Sequence, residues 1–212
     1  FKSMLETKDI AGLENSVIEL QKSYRFGKNS GIGQLARAIN AGDDHSAIEI
    51  LLDERFPDVT LKPLLPEGID EAVVGLNLDG LYVSRTAETP LEALKLMEKA
   101  RLLSAHREGV FGVNNLNRLL EQRLSAKGWI EADRTHYHGR PIMITRNDYG
   151  MQLFNGDVGL IWENRETETL QACFIDGNGQ LRQLSPTRLP PHETVYAMTI
   201  HKSQGSEFDE VM

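Results

Sequence analysis

Apolar side chains at Ile32, Leu35, Ala36 and Ile39 recur at intervals of three and four residues, which stacks them on one helical face until Asn40-Ala41-Gly42 ends it. A second helix is expected over 46–52, and upstream Val17-Ile18-Glu19-Leu20 has the short apolar run of a strand, followed by a loop over 21–30. Pro57, Pro63 and Pro66 make 56–71 a connection, because each proline removes a backbone donor and disfavours helix just before it. Thr89-Pro90 reads as an N-cap with proline in the first helical position, and Leu91, Leu94, Met97 and Ala100 carry that helix's apolar stripe. Residues 102–105 form a buried strand, 107–113 a loop, and Asn114 or Asn115 opens a helix to Lys127 with Leu116, Leu119, Leu120 and Leu124 on one face. Strands and helices in this alternation predict an α/β fold built on a parallel sheet.

After Gly139 the texture changes to short strand candidates at 141–145, 159–162, 170–175 and 181–184. Asn155-Gly156-Asp157 and Asp176-Gly177-Asn178-Gly179 between them have the residue types of hairpin turns. A small β-barrel over 139–191 is the natural reading, short for an independent domain and therefore an insert, with Pro190-Pro191 closing it. From Thr194 to His201 the chain returns to an apolar, β-branched strand, and Lys202-Ser203-Gln204-Gly205 leaves it as a polar loop. The expected organisation is thus an α/β domain over 1–138, an insert over 139–191, and a return to the first domain over 192–212.

Charge narrows what such a fold does. A formal net charge of -8 over 212 residues excludes a protein that grips nucleic acid through overall basicity, so any contact with phosphates is local. A motor that holds and releases a narrow track suits this balance better than a coating protein. No apolar run reaches membrane length and the first residues lack signal-peptide order, which makes the cytoplasm the default location and excludes a membrane partner. The single cysteine, Cys173, sits in an apolar-alternating stretch and reads as a buried thiol without a chemical role.

The chemistry concentrates near the end. Thr199, His201, Lys202, Ser203 and Gln204 bring hydroxyl, imidazole, ammonium and amide groups to a strand end beside Gly205, where backbone can approach a ligand closely. Those groups suit phosphates, although polar loops are ordinary at strand ends. Gly27-Lys28 is not a phosphate-binding P-loop, since the position that needs the first glycine is Lys22 and the residue after the lysine is Asn29. His136-Tyr137-His138 lacks a carboxylate or thiol at usable spacing, and Asp176-Gly177-Asn178-Gly179 lacks the rest of a calcium loop, so no metal site is expected. Nor does any carboxylate cluster suggest a two-metal nuclease.

The run from Thr199 through His201-Lys202-Ser203-Gln204-Gly205-Ser206-Glu207 to Asp209 resembles motif V of superfamily 1B helicases, in nearly the wording of the RecD family, the alpha subunits of exodeoxyribonuclease V. Three further stretches follow that family's order. Leu20-Gln21-Lys22-Ser23-Tyr24-Arg25-Phe26 resembles helicase motif IV; residues 103–117, with Arg107-Glu108-Gly109 and Phe111-Gly112-Val113, resemble the strand, loop and helix of the second motor domain; residues 144–159 resemble the start of its inserted SH3-like barrel.

The resemblance implies a RecA-like second motor domain, incomplete here, carrying an SH3-like β-barrel insert. It implies that Arg25 acts as an arginine finger on ATP, with Gln204, Gly205 and Glu207 near the nucleotide, and that Thr199, His201, Lys202, Ser203, Arg107 and Asn147 hold single-stranded DNA. ATP and Mg2+ would serve the full-length protein, with neither held tightly by this stretch, which lacks the Walker A, Walker B and motif VI elements and is expected to be inactive alone. DNA, RecB and RecC are the implied partners, 5′-to-3′ translocation the implied polarity, and double-strand break repair and recombination the implied role. A stand-alone relative of the same superfamily, and a non-catalytic DNA- or protein-binding module, are the alternatives. All of this requires Arg25 and the Lys202 turn to meet on one edge of one parallel sheet.

Overall fold

The computed structural model describes residues 26–27, 30–62, 66–69, 78–131 and 133–212. The strand expected at 17–20 and the motif IV stretch as far as Arg25 lie outside the described residues. The chain divides into two compact units, 1–63 and 64–212.

In the first unit, α1 (Gly31–Ala41) begins where the Ser30 side chain accepts from Gly33 N–H, and the N–H of Gly42 closes it on the carbonyls of Ala38 and Ile39. Helix α2 (Asp44–Leu52) starts ahead of the predicted Ser46, because Asp43 caps it by accepting from Ser46 N–H. Across the unit, the Asp58 carboxylate accepts from Ser30 Oγ (2.7 Å) and from the N–H groups of Gly31 (2.9 Å) and Ile32 (3.2 Å). The first turn of α1, which a P-loop would turn toward phosphate, is therefore filled by an internal carboxylate. Those hydrogen bonds, Ser30's foremost, hold the Asp58 carboxyl below its ordinary value.

The second unit opens with a short helix α3 (Leu78–Leu81) and then α4 (Pro90–Met97), capped by Thr89, whose side chain accepts from Glu92 N–H. The stripe expected to run through Ala100 stops at Met97, since Ala100 already belongs to β1 (Ala100–Ser104). Helix α5 (Val113–Ala126) buries Leu116, Leu120 and Leu124 against Leu102, Tyr196 and Ala197, and the predicted Leu119 is only partly buried beside them. Two sheets follow. One is parallel, in the order β7-β1-β8, with β7 (Ala197–Thr199) and β8 (Glu210–Val211) flanking β1. The other is antiparallel, in the order β5-β4-β3-β2-β6, from β2 (Pro141–Ile144), β3 (Val158–Asn164), β4 (Thr169–Ile175), β5 (Leu181–Leu184) and β6 (His192–Thr194).

The central strands β2, β3 and β4 are covered on both faces, which is why they read as apolar runs. Ile142, Ile144, Ile161, Ala172 and Phe174 form one cluster, while Leu160, Trp162 and Cys173 pack on Ala93, Leu94 and Met97 of α4. Burial pushes the Cys173 thiol up to about 11, so it stays protonated and inert. The stretch expected as a small barrel thus forms five antiparallel strands, and among the described residues no hydrogen-bonded pairing is recorded between β5 and β6.

The single strand predicted from Thr194 to His201 is divided. His192–Thr194 pairs with β2 in the antiparallel sheet, Val195 and Tyr196 cross over fully buried, and Ala197–Thr199 pairs with β1 in the parallel one. Two buried side chains serve the backbone groups around this crossing. Asn117 accepts from Ala197 N–H (2.8 Å) and donates to the carbonyls of Thr194 and Ala197 (3.1 Å each). Arg101, 5% exposed, donates to the carbonyls of Val195 (3.0 Å) and Met97 (3.1 Å) and lies 5.4 Å from the Phe208 ring. Desolvation pushes the Arg101 guanidinium down to about 10, so it remains charged at neutral pH. No described helix is long and apolar enough to cross a membrane.

Candidate nucleic-acid interface

Parallel strands offer a ligand site at their carboxyl ends, where the loops that follow converge. β1 and β7 end side by side, with Ser104 in register with Thr199. After Ser104 the loop folds back on α5: Ser104 Oγ donates to the Phe111 carbonyl (2.6 Å), and the His106 and Arg107 carbonyls accept from Val113 and Asn114 N–H (3.0 and 3.1 Å). This fold explains the Phe111-Gly112-Val113 wording. A Cβ on Gly112 would fall 2.4 Å from the Glu108 carbonyl carbon, in backbone that cannot swing aside. Gly112→Ala is expected to cost about 2 kcal/mol through forced movement of this loop, as read by urea denaturation; a loss below about 0.5 kcal/mol would show that the loop yields freely.

After Thr199 the chain turns as a short 3-10 helix, Ile200–Ser203, in which Ser203 Oγ donates to the Ile200 carbonyl (2.8 Å). Gly205 follows with φ at +86°, left-handed backbone that a side chain would strain. His201, Gln204, Gly205 and Glu207 are exposed, and Thr199, Lys202 and Ser203 are half-buried at the base of the turn. The Lys202 ammonium donates to Asn155 Oδ1 (2.5 Å), and Asn155 N–H donates to Asn147 Oδ1 (2.8 Å). The structure thus brings Lys202 and Asn147 together through Asn155, whose place in Asn155-Gly156-Asp157 signalled only a turn.

Arg107 behaves differently. Its guanidinium is ion-paired with Glu193 on β6, more than half exposed, and the pair raises its affinity for the proton. An exposed pair of this kind is weak enough for a phosphate to displace the carboxylate.

Gly205 and Glu207 also border a cleft of about 490 Å3, with Glu98, Arg101, Asp157 and Phe208 among the other lining residues. Three carboxylates against one guanidinium give this hollow the wrong charge balance for a triphosphate. Among the described residues no group of three or more His, Cys, Asp or Glu side chains converges to hold a metal ion.

No protein-family model matches the chain. Curated relatives do. The protein named RecBCD enzyme subunit RecD of Mycolicibacterium smegmatis is 38% identical over 197 residues, covering 92% of this chain and 34% of the relative. The one of the same name in Haemophilus influenzae is 33% identical, covering 92% of this chain and 32% of the relative. An ATP-dependent RecD2 DNA helicase of Deinococcus radiodurans is 27% identical over 114 residues, 53% of this chain and 15% of that protein. The chain therefore spans about a third of the length of the RecD subunits it matches. That agreement, sustained along 92% of its own residues and across distant bacteria, makes the chain a member of the RecD family.

Proposed function

We propose that the chain supplies the closing half of an ATP site and a single-stranded DNA track in the DNA helicase subunit of exodeoxyribonuclease V. One observation carries the reading: the β1 and β7 ends stand side by side, so the polar turn after Thr199 and the loop holding Arg107 open from one edge of a parallel sheet. The three-stranded parallel sheet is the part of a RecA-like second motor domain that the reading needs, and the antiparallel sheet is its SH3-like insert. The organisation proposed is 1–138 and 192–212 as motor domain with 139–191 inserted.

Arg25 would meet the γ-phosphate as an arginine finger, with Gln204, Gly205 and Glu207 toward the nucleotide. Thr199, His201, Lys202, Ser203, Arg107 and Asn147 would hold DNA phosphates, contacts that position a strand without reading its bases. ATP closing the two motor domains and hydrolysis releasing them would advance the strand 5′ to 3′. The Walker A and Mg2+-binding groups belong to the first motor domain. RecB and RecC would be the partner subunits, in the cytoplasm, in the service of double-strand break repair and recombination. The likeness to a RecD2 helicase over half the chain favours a stand-alone motor as the second reading.

Without those Walker A and Mg2+ groups, the chain on its own is expected to hydrolyse no ATP, with or without DNA, in a coupled phosphate-release assay. The full-length protein's turnover should rise on adding single-stranded DNA. DNA-dependent turnover by the chain alone would overturn the division of labour.

A further inference from the structure

Two aromatic rings stand in water side by side, close to the Lys202 cluster. Tyr149 is 77% exposed and Phe154 43% exposed, and their rings meet edge to face at 6.0 Å with planes 73° apart. Both belong to the connection between β2 and β3, immediately flanking Asn147 and Asn155.

This connection is rigidly built. Asp148 and Leu153 exchange backbone hydrogen bonds (2.7 and 3.0 Å), Asp148 Oδ1 accepts from Met151 N–H (2.9 Å), and Asp157 Oδ2 accepts from Phe154 N–H (2.8 Å). The Arg182 guanidinium ties it to β5 by donating to the Met151 and Gln152 carbonyls (2.7 and 3.1 Å). Its two carboxylates are thus turned to backbone donors, while Asn155 accepts from the Lys202 ammonium at 2.5 Å and Arg146 is exposed nearby in sequence. Open aromatic rings, held in place and continuous with a cation and two amides, suit a single strand, whose phosphates want the cation and whose bases want a ring to stack on.

We propose that Tyr149 and Phe154 form a stacking platform for the bases of single-stranded DNA, continuing the track that begins at the Lys202 turn. The proposal rests on that turn holding DNA phosphates. It adds what the turn lacks, since stacking accepts any base and lets a strand be gripped without being read. It also gives the inserted sheet a part in the motor: the sheet supplies the ring surface, and the parallel sheet supplies the charge.

The test uses the full-length protein with two fluorescent oligonucleotides of one length, oligo(dT) and an abasic strand that keeps the phosphates. Tyr149→Ala is expected to weaken oligo(dT) binding about tenfold, and Tyr149→Ala with Phe154→Ala further, with abasic binding unchanged in both. Tyr149→Trp, which keeps a ring and confirms an intact fold, should hold oligo(dT) at the original affinity or tighter. Unchanged oligo(dT) affinity in the double variant would overturn the proposal, as would equal losses on both strands. So would lost assembly with a protein partner at full oligo(dT) affinity. Lys202→Ala separates the layers, because a phosphate contact weakens both strands alike. Intact binding of both strands by that variant, with the ring effect preserved, upholds the platform and removes the phosphate track beneath it.

Discussion

Arg25→Ala in the full-length protein is expected to lower DNA-stimulated ATP turnover by about 10³-fold or more, leaving ATP affinity within a few-fold of the original. A guanidinium that meets the transferred phosphoryl group only as charge builds on it stabilises the transition state and not the bound nucleotide, so kcat falls and KM holds. Arg25→Lys should recover little, because an ammonium cannot present the planar fork that spans two phosphate oxygens. Steady-state ATPase with saturating single-stranded DNA measures both constants. Turnover within tenfold of the original would remove Arg25 from the reaction and leave the motif IV likeness without a chemical role.

Asn117→Leu is expected to destabilise the chain by about 3 kcal/mol, a drop of roughly 10 °C in Tm, although leucine has as many side-chain heavy atoms and is the better helix former. The amide of Asn117 is 7% exposed and is the acceptor for Ala197 N–H as well as a donor to two carbonyls. A leucine there leaves a buried donor without an acceptor, which costs the full desolvation of that group and not merely the worth of one hydrogen bond. Asn117→Asp keeps the acceptor; with its carboxyl protonated it also keeps one donor and should fall between the original and the leucine variant, whereas ionised it loses both donors and sets a charge against two carbonyls. A loss under 1 kcal/mol for the leucine variant in urea denaturation would mean that water or a small shift satisfies the crossing.

Local signals were legible where one segment settles its own structure. Thr89-Pro90 caps α4, Gly42 ends α1, and Leu116, Leu120 and Leu124 face the core as their spacing implies. The run from Thr194 to His201 reads as one strand because period and β-branching are the same on both sides of the crossing. What divides it is the pull of two sheets, β2 on one half and β1 on the other, and neither is visible in the run itself. The insert shows the same limit: its strands are legible because strand existence is local, while their order depends on which edges meet.

The site shows the same split. The polar turn after Thr199 was legible from its residue types and wording, and it does stand at a parallel-sheet edge. Asn155 was hidden because its partner Lys202 is 47 residues away and its neighbours spell a turn. Tyr149 and Phe154 were hidden by a different ambiguity: a ring in a sequence reads as core until its exposure is known. Arg107 reads from the sequence as a loop cation, and its ion pair with Glu193 depends on where β6 lies.

The crossing at Val195 and Tyr196 also has a mechanical meaning. Two residues reach at most about 7 Å even when stretched, so β6 and β7 are joined by a tether with almost no slack. A displacement of β6 is therefore passed to β7, and so from the antiparallel sheet to the parallel one, with little take-up. On the proposed function the antiparallel sheet would be a fixed handle on the motor, and lengthening the tether with glycines would turn it into a loose one.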